Sequence, residues 1–438
     1  MGIMEKSKFN IISKVHNTED YFVINLLSGN ADILDKDTYS KFVNENINNP
    51  EEFIEKGYLV EKTQENKLYK NLYLDFIDTR DTDEIQIFFV PWYTCNFACE
   101  YCFQDGYDNP DLLLKFEVID AFFDYVNNQF NGRKKYITLF GGEPLLTGIS
   151  HIKQNEYFFN KIKENNLDLA IVTNGYNVEE YTDLLKNIKI REIQITLDGV
   201  GDIHNERRPL KGGGATFDKI VKGIDKLLTN KINVNLRFVV DKQNINELPK
   251  LAKFSIEKGW TKSPFFKTQI GRNYELHFCQ SHANKLFTRS ELYKTIYEMM
   301  LENQEIYEFH QPAFSVAKYL YENGELPKPL FDSCPGCKTE WAFDYTGTIY
   351  SCTATVGKKG EELGKFYPQV DLYNDIIEKW QERDVTTIDG CKDCSVQLAC
   401  GGGCAAIAKN KNGDILSKDC RPIKDLLELG ISYYFYNK

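Results

Sequence analysis

Between Glu84 and Arg272 the chain alternates short runs of β-branched and aromatic residues with longer stretches whose apolar positions recur at helical spacing. The short runs predict strands at Ile85–Val90, Tyr136–Phe140, Leu169–Val172, Glu192–Leu197, Ile232–Val240 and Phe265–Ile270. The longer stretches predict helices at Leu113–Phe130, Glu179–Ile188, Phe217–Leu228 and Leu248–Lys258. Strands separated by helices pair in parallel, so the pattern predicts a parallel α/β sheet. Six β/α units in a row predict an open, partial (β/α)6 barrel whose reactive end lies at the C-terminal ends of the strands.

The flanks differ. Residues 1 to about 80 predict three short strands, Phe9–Val15, Tyr21–Leu26 and Ala31–Leu34, with helices at Lys36–Asn44, Pro50–Gly57 and Gln64–Phe76. That order fits a small winged-helix-like module. From about Leu326 the chain is rich in Cys and Gly and poor in long periodic segments, which predicts a region organised by metal rather than by an apolar core. The expected domains are therefore 1–80, 81–320 and 321–438.

Composition narrows the chemistry. The 438 residues carry a net charge of -11 with basic residues scattered among carboxylates, which argues against nucleic acid as a partner. No apolar run approaches the roughly 18 residues of a membrane span, and the charged N-terminus does not read as a signal peptide, so a cytoplasmic location away from membranes is expected. Twelve cysteines in such a chain read as metal ligands or redox groups rather than disulfides.

Directly after the first barrel strand stand Cys95, Cys99 and Cys102, spaced so that one loop can wrap three of the four irons of a cubane cluster and leave the fourth iron open. A zinc knuckle or three buried thiols are the blander readings. Gly141-Gly142-Glu143-Pro144 follows the second strand, Thr173-Asn174-Gly175 the third, and Thr196-Leu197-Asp198-Gly199 the fourth; each alone reads as a strand-ending turn. Together, the three cysteines with the aromatic Tyr101 and the Gly141–Pro144 stretch resemble the radical S-adenosylmethionine superfamily, whose fold is a TIM-like partial barrel. The resemblance implies Cys95, Cys99 and Cys102 as catalytic cluster ligands. It implies cofactor contacts from Tyr101, Gly141, Gly142, Glu143 and Pro144, with Glu143 accepting from the methionine amino group. Thr173, Asn174, Thr196 and Asp198 sit where the family places ribose and carboxylate contacts, and Arg237 is a further candidate. His204, Arg207, Arg208 and Gly212 to Phe217 also resemble the family's stretch after the fourth strand, with Thr216 placed to cap the next helix.

The C-terminal cysteines resemble the SPASM extension of such enzymes, which binds two auxiliary clusters. Carried over residue by residue, that likeness implies Cys334, Cys337, Cys352 and Cys404 for one cluster and Cys391, Cys394, Cys400 and Cys420 for the other. Two zinc sites are the alternative. Three [4Fe–4S] clusters are thus expected, and Cys279 is left over as a small buried hydrophobe. The Cys334–Cys337 spacing is tighter than in sulfatase-maturing relatives; an open iron at that site would accept a substrate thiolate.

The N-terminal module resembles the peptide-recognition element of enzymes that modify ribosomally made peptides, which captures a leader by strand addition, here beside Ala31–Leu34. A stabilising N-terminal cap is the plainer reading. The resemblance as a whole implies a maturase of the sactipeptide or ranthipeptide type that joins a Cys sulfur to a carbon in a precursor peptide. The implied partners are a leader-bearing precursor peptide and an external one-electron reductant of flavodoxin or ferredoxin type. A formylglycine-forming sulfatase maturase is the runner-up. Those relatives place an aspartate where Thr353 follows Cys352, which counts against it. Carbon–carbon crosslinking of a peptide also remains open. A non-catalytic electron carrier or peptide-binding chaperone has no need of Gly141–Pro144 or of an open three-cysteine loop.

Overall fold

The computed structural model describes residues 3–46, 50–104, 107, 113–273 and 283–437, so Cys279 lies outside the described residues. The first part holds strands β1 (Met4–Lys6), β2 (Asn10–Lys14), β3 (Tyr21–Asn25), β4 (Asn30–Leu34) and β5 (Leu59–Glu61), with helices α1 (Lys36–Val43), α2 (Pro50–Glu55) and α3 (Lys62–Thr82). Strands β2, β3 and β4 form an antiparallel sheet in that order, leaving β4 with one edge outside the sheet. Asp35 starts α1 by accepting from the Thr38 amide at 2.7 Å. The short β1–β5 pair escapes the sequence pattern because three residues are too few to show a period.

Six parallel strands follow: β6 (Ile85–Val90), β7 (Lys135–Leu139), β8 (Asp168–Thr173), β9 (Ile190–Thr196), β10 (Val234–Val240) and β11 (Phe266–Arg272). They lie side by side in chain order, as the expected partial barrel requires. The helices between them are α4 (Phe116–Gln129), α5 (Ile149–Glu164), α6 (Val178–Leu185), α7 (Asp202–Arg207), α8 (Phe217–Thr229) and α9 (Leu248–Glu257). Helix α5 was not expected, because buried Gln154 and Asn155 interrupt its apolar stripe. Their amides donate to the Leu114 and Pro144 carbonyls at 2.6 and 2.8 Å. Thr216 does not cap α8. Its hydroxyl donates to the Arg208 carbonyl, and Asn205 Oδ1 instead accepts from the Thr216 and Phe217 amides.

Helices α10 (Arg289–Glu302), α11 (Glu305–Phe309) and α12 (Ala317–Asn323) lead to β12 (Glu340–Asp344), which pairs in parallel with β6 so that Glu340 faces Gln86 in register and Asp344 faces Val90. Strands β13 (Thr348–Tyr350), β14 (Glu362–Lys365) and β15 (Asp371–Leu372) extend this edge antiparallel into a ten-stranded sheet. Helices α13 (Asn374–Gln381), α14 (Gln397–Cys400), α15 (Ala405–Asn412) and α16 (Ile423–Ile431) complete the fold. The expectation that metal replaces an apolar core here is corrected. Phe331, Trp341, Phe343, Ile349, Leu363, Phe366 and Trp380 are buried in one cluster continuous with the barrel core. No helix among the described residues is long and apolar enough to cross a membrane.

Candidate active site

The loop after β6 carries Cys95, Cys99 and Cys102 over the C-terminal ends of the strands, where they line one pocket together with Tyr101, Gly141, Gly142, Thr173, Asn174, Thr196, Arg208 and Arg237. Close packing of two loops explains Gly142: a Cβ there would lie 2.2 Å from the Thr94 carbonyl oxygen and 2.4 Å from that of Tyr93. The Glu143 amide donates to the same Thr94 oxygen at 2.9 Å, locking the glycine turn under the cysteine loop. Asn174 ties the end of β8 to that loop, its amide donating to Asn96 Oδ1 at 2.8 Å and lying 3.8 Å from Cys95 Sγ. Burial pushes the Cys95 thiol up to about 12, with Glu143 and the other loop cysteines adding to the effect, and burial raises Cys99 too.

Three expected contact residues stand behind the pocket rather than in its wall. Glu143 is fully buried; Oε1 accepts from the Thr173 hydroxyl at 2.6 Å and the Leu145 amide at 2.8 Å, and Oε2 from the Asn174 amide at 2.6 Å. It braces the ends of β7 and β8. Pro144 turns its carbonyl to Asn155. Asp198 is fully buried, accepting from the Val239 amide at 3.1 Å and from the Tyr101 hydroxyl. Arg208 in turn donates to the Tyr101 oxygen, so Tyr101 joins the loop to β9 and α7. The Arg208 Nε is buried without a partner, and the Arg208 charge acts on Cys99.

Below this pocket the barrel interior holds a cavity of 710 Å³. Its walls are polar on β6, β7, β9, β10 and β11, where Gln86, Thr138, Glu192, Gln194, Asn235, Arg237 and Gln269 line it; β8 adds only Ala170, Ile171 and Val172, and Cys334, Cys352, Cys404, Glu340 and Thr353 close the far side. Phe103, Phe140, Val172 and Arg237 line both spaces, so the two adjoin. Glu340 is the residue that sequence reading missed. Its Oε1 accepts from the Thr353 amide at 2.9 Å, which puts a carboxylate beside the threonine that follows Cys352. Pairing of β12 with β6 places it there, and no local motif signals that pairing.

The C-terminal thiols fall into two groups. Burial raises Cys334, Cys337 and Cys352, and charge effects link each of them to another member of the set Cys334, Cys337, Cys352 and Cys404. Burial pushes Cys391 up to about 11, with Cys400, Cys394 and Cys420 adding to the rise. Among the described residues, no group of three or more His, Cys, Asp or Glu side chains closes around a single ion position. Buried Arg383 links the groups mechanically, its guanidinium donating to the carbonyls of Gly402, Gly403, Ile415 and Ser417.

Residues 89–255 match the radical SAM superfamily model. A cysteine-type anaerobic sulfatase-maturating enzyme of Clostridium novyi is 25% identical over 379 residues, 78% of this chain and 94% of that enzyme. A GTP 3′,8-cyclase of Campylobacter jejuni is 31% identical over 170 residues, 37% of this chain and 50% of that one. Among solved structures, anSMEcpe with bound AdoMet and a Cp18Cys peptide superposes with a TM-score of 0.62 at 20% identity, covering 80% of this chain and 98% of its own. Streptococcus suis SuiB bound to its precursor peptide SuiA superposes with a TM-score of 0.53 at 13% identity, covering 96% of this chain and 99% of its own. With its three-cysteine loop over the strand ends, this chain carries a radical SAM domain within the fold shared by anSMEcpe and SuiB.

Proposed function

We propose that this chain is a peptide maturase that forms a thioether between a Cys sulfur and a carbon of a ribosomally synthesised precursor peptide. One observation carries the reading: a polar cavity of 710 Å³ runs from the pocket of the cysteine loop to a wall of C-terminal thiols. The donor sets suit the expected groups. Three loop thiols, Asn174 and Arg208 line one pocket, and charge effects among the C-terminal thiols support two sets, Cys334, Cys337, Cys352 with Cys404 and Cys391 with Cys394, Cys400 and Cys420. When bound, S-adenosylmethionine with the loop cluster supplies hydrogen-atom abstraction, and clusters on Cys334, Cys337, Cys352, Cys404 and on Cys391, Cys394, Cys400, Cys420 supply an electron acceptor.

The chain's own residues do the rest. Arg208 answers the cofactor carboxylate, and the Gly141–Gly142 turn, packed under the cysteine loop, sets strand-end backbone in the pocket wall beside its methionine end. The inward amides of Gln86, Gln194, Asn235 and Gln269 offer donors and acceptors to a peptide backbone, which an apolar barrel core would not. The free edge of β4 offers strand addition to a leader, and the likeness to SuiB, which spans 96% of this chain, extends over that module. Leader binding predicts slowed amide exchange at Asn30–Leu34.

Mass spectrometry of a co-expressed precursor peptide tests the function. A product short of two hydrogens that keeps its sulfur supports the thioether. Formylglycine formation from cysteine is the second reading, favoured by the Clostridium novyi relative and by the Glu340 carboxylate at Thr353. It predicts a product that has lost sulfur. An enzyme that cleaves S-adenosylmethionine but leaves the peptide mass unchanged sinks both. A triple alanine variant of Cys95, Cys99 and Cys102 is expected to lower the iron content from about twelve to about eight per chain.

A further inference from the structure

Arg237 lies in β10, in register with Thr196 on one side and Gln269 on the other, and it borders both the cysteine-loop pocket and the barrel cavity. One Nη donates to Gln194 Oε1 at 3.3 Å, and Nε is buried with no partner. Gly271 leaves room for the fork: a Cβ there would come within 2.9 Å of Nε and 3.1 Å of Nη2. The cavity's other cations have carboxylates, since Lys267 pairs with Glu192 and Arg191 with Glu84. Among the described residues no carboxylate pairs with Arg237, and Glu340 on β12, which lines the same cavity, accepts instead from the Thr353 amide. Arg237 is part-buried at the cavity wall, and a planar guanidinium fork that lines a cavity without a counter-charge suits a carboxylate in particular.

We infer that Arg237 binds a carboxylate of the peptide to be modified, and so selects peptides that carry an acid in the reacting segment. This rests on the maturase reading above and names its substrate class. The acid is either an Asp or Glu side chain or the peptide's own C-terminus. Arg208, whose charge acts on Cys99, is the better placed arginine for the cofactor carboxylate, which leaves Arg237 to the substrate.

Three probes separate the sources: acetyl-Cys-Gly-Asp-Gly-amide, the same peptide with Asn for Asp, and the Asn peptide with a free C-terminal acid. Anaerobic equilibrium dialysis against the reconstituted, S-adenosylmethionine-saturated enzyme is expected to show at least one acid binding about tenfold tighter than the neutral peptide. Whichever acid is preferred identifies the source. R237Q is expected to erase the preference, R237K to keep part of it, and G271A, which displaces the fork without removing it, to weaken it. Dialysis of S-adenosylmethionine itself is expected to give the same affinity in R237Q as in wild type. Equal binding of all three probes, a preference that survives in R237Q, or a loss of cofactor affinity in R237Q would each overturn the inference. The two proposals fail separately. Absence of any modified peptide removes the maturase reading, whereas a cognate peptide modified equally well with its acids neutralised removes only the role of Arg237.

Discussion

Arg383 offers a direct test of how the cysteine-rich region is held. It is fully buried, and its guanidinium donates to Gly402 and Gly403 at 3.0 Å each and to Ser417 at 3.2 Å, besides Ile415. Gly402 and Gly403 lead into Cys404, and Ser417 precedes Cys420, so one side chain shapes a loop of each thiol group. R383M keeps much of the volume but leaves these carbonyls without donors. A buried hydrogen bond to a charged group is worth about 1.5–3 kcal/mol, and four of them are not additive, because removing the guanidinium also removes its desolvation cost. The net loss is expected at about 3–5 kcal/mol, in the upper tail for single substitutions, which lowers the melting midpoint by roughly 3–5 °C in a chain of this size. R383K is expected to fall between, since an ammonium reaches fewer of the carbonyls. Melting of the reconstituted proteins and their iron content check this. An R383M protein that melts within about 1 °C of wild type and keeps its full iron would refute the reasoning.

The glycine turn makes a second prediction: G142A must push the Tyr93–Thr94 backbone away, so S-adenosylmethionine cleavage is expected to be lost while far-ultraviolet dichroism is unchanged. Burial pushes His310 down to about 4 from 6.5, with Lys318 adding to the effect, and Nδ1 lies 3.0 Å from the Thr268 hydroxyl. Because the unfolded chain then binds a proton that the folded one refuses, stability is full above pH 6.5 and falls by about 3 kcal/mol as the pH drops to 4. H310Q is expected to flatten the part of this acid limb due to His310, as read from urea midpoints at several pH values; an unchanged limb would count against it.

Much of the barrel was legible because its strands are short and its helices amphipathic. Ile85–Val90 is a strand with the bounds its run of β-branched and aromatic residues gives, and Phe217–Thr229 ends one residue from its expected limit. The cysteine loop was legible because its spacing is local. What was not legible depends on contacts between distant segments. The pairing of β12 with β6 sets Glu340 and the Cys334 group into the barrel wall, and neither partner strand carries a mark of the other. The polar inner face of α5 hid a helix whose buried amides serve the loops at the strand ends. Glu143 and Asp198 were read as pocket groups from their motifs, yet the donors around them use their oxygens as internal braces.

The N-terminal module makes the last prediction, because its sheet has two buried faces. Along β3 the side chains alternate: Val23 packs with Leu34, Phe42 and Tyr58 inside the module, while Phe22 and Ile24 join Phe9, Ile11 and Val15 in the main core. Phe9 stacks on Tyr69 at 5.3 Å, and Tyr69, Tyr73 and Phe76 of α3 surround Phe331 of the C-terminal region at 5.2 to 5.5 Å. The Ser13 hydroxyl reaches Glu428 of α16. A module attached only to capture a leader would have no reason to share its core. At about 1.5–3 kcal/mol for each buried apolar side chain, the five that face the main core contribute roughly 10 kcal/mol before entropy, comparable to the whole stability of a domain. A chain cut to residues 62–438 is therefore expected to melt at least 10 °C lower, to bind a hydrophobic dye and to lose iron, whether or not peptide is present. If instead it melts as the full chain does and loses only peptide affinity, the module is a detachable reader and its buried face has been misjudged.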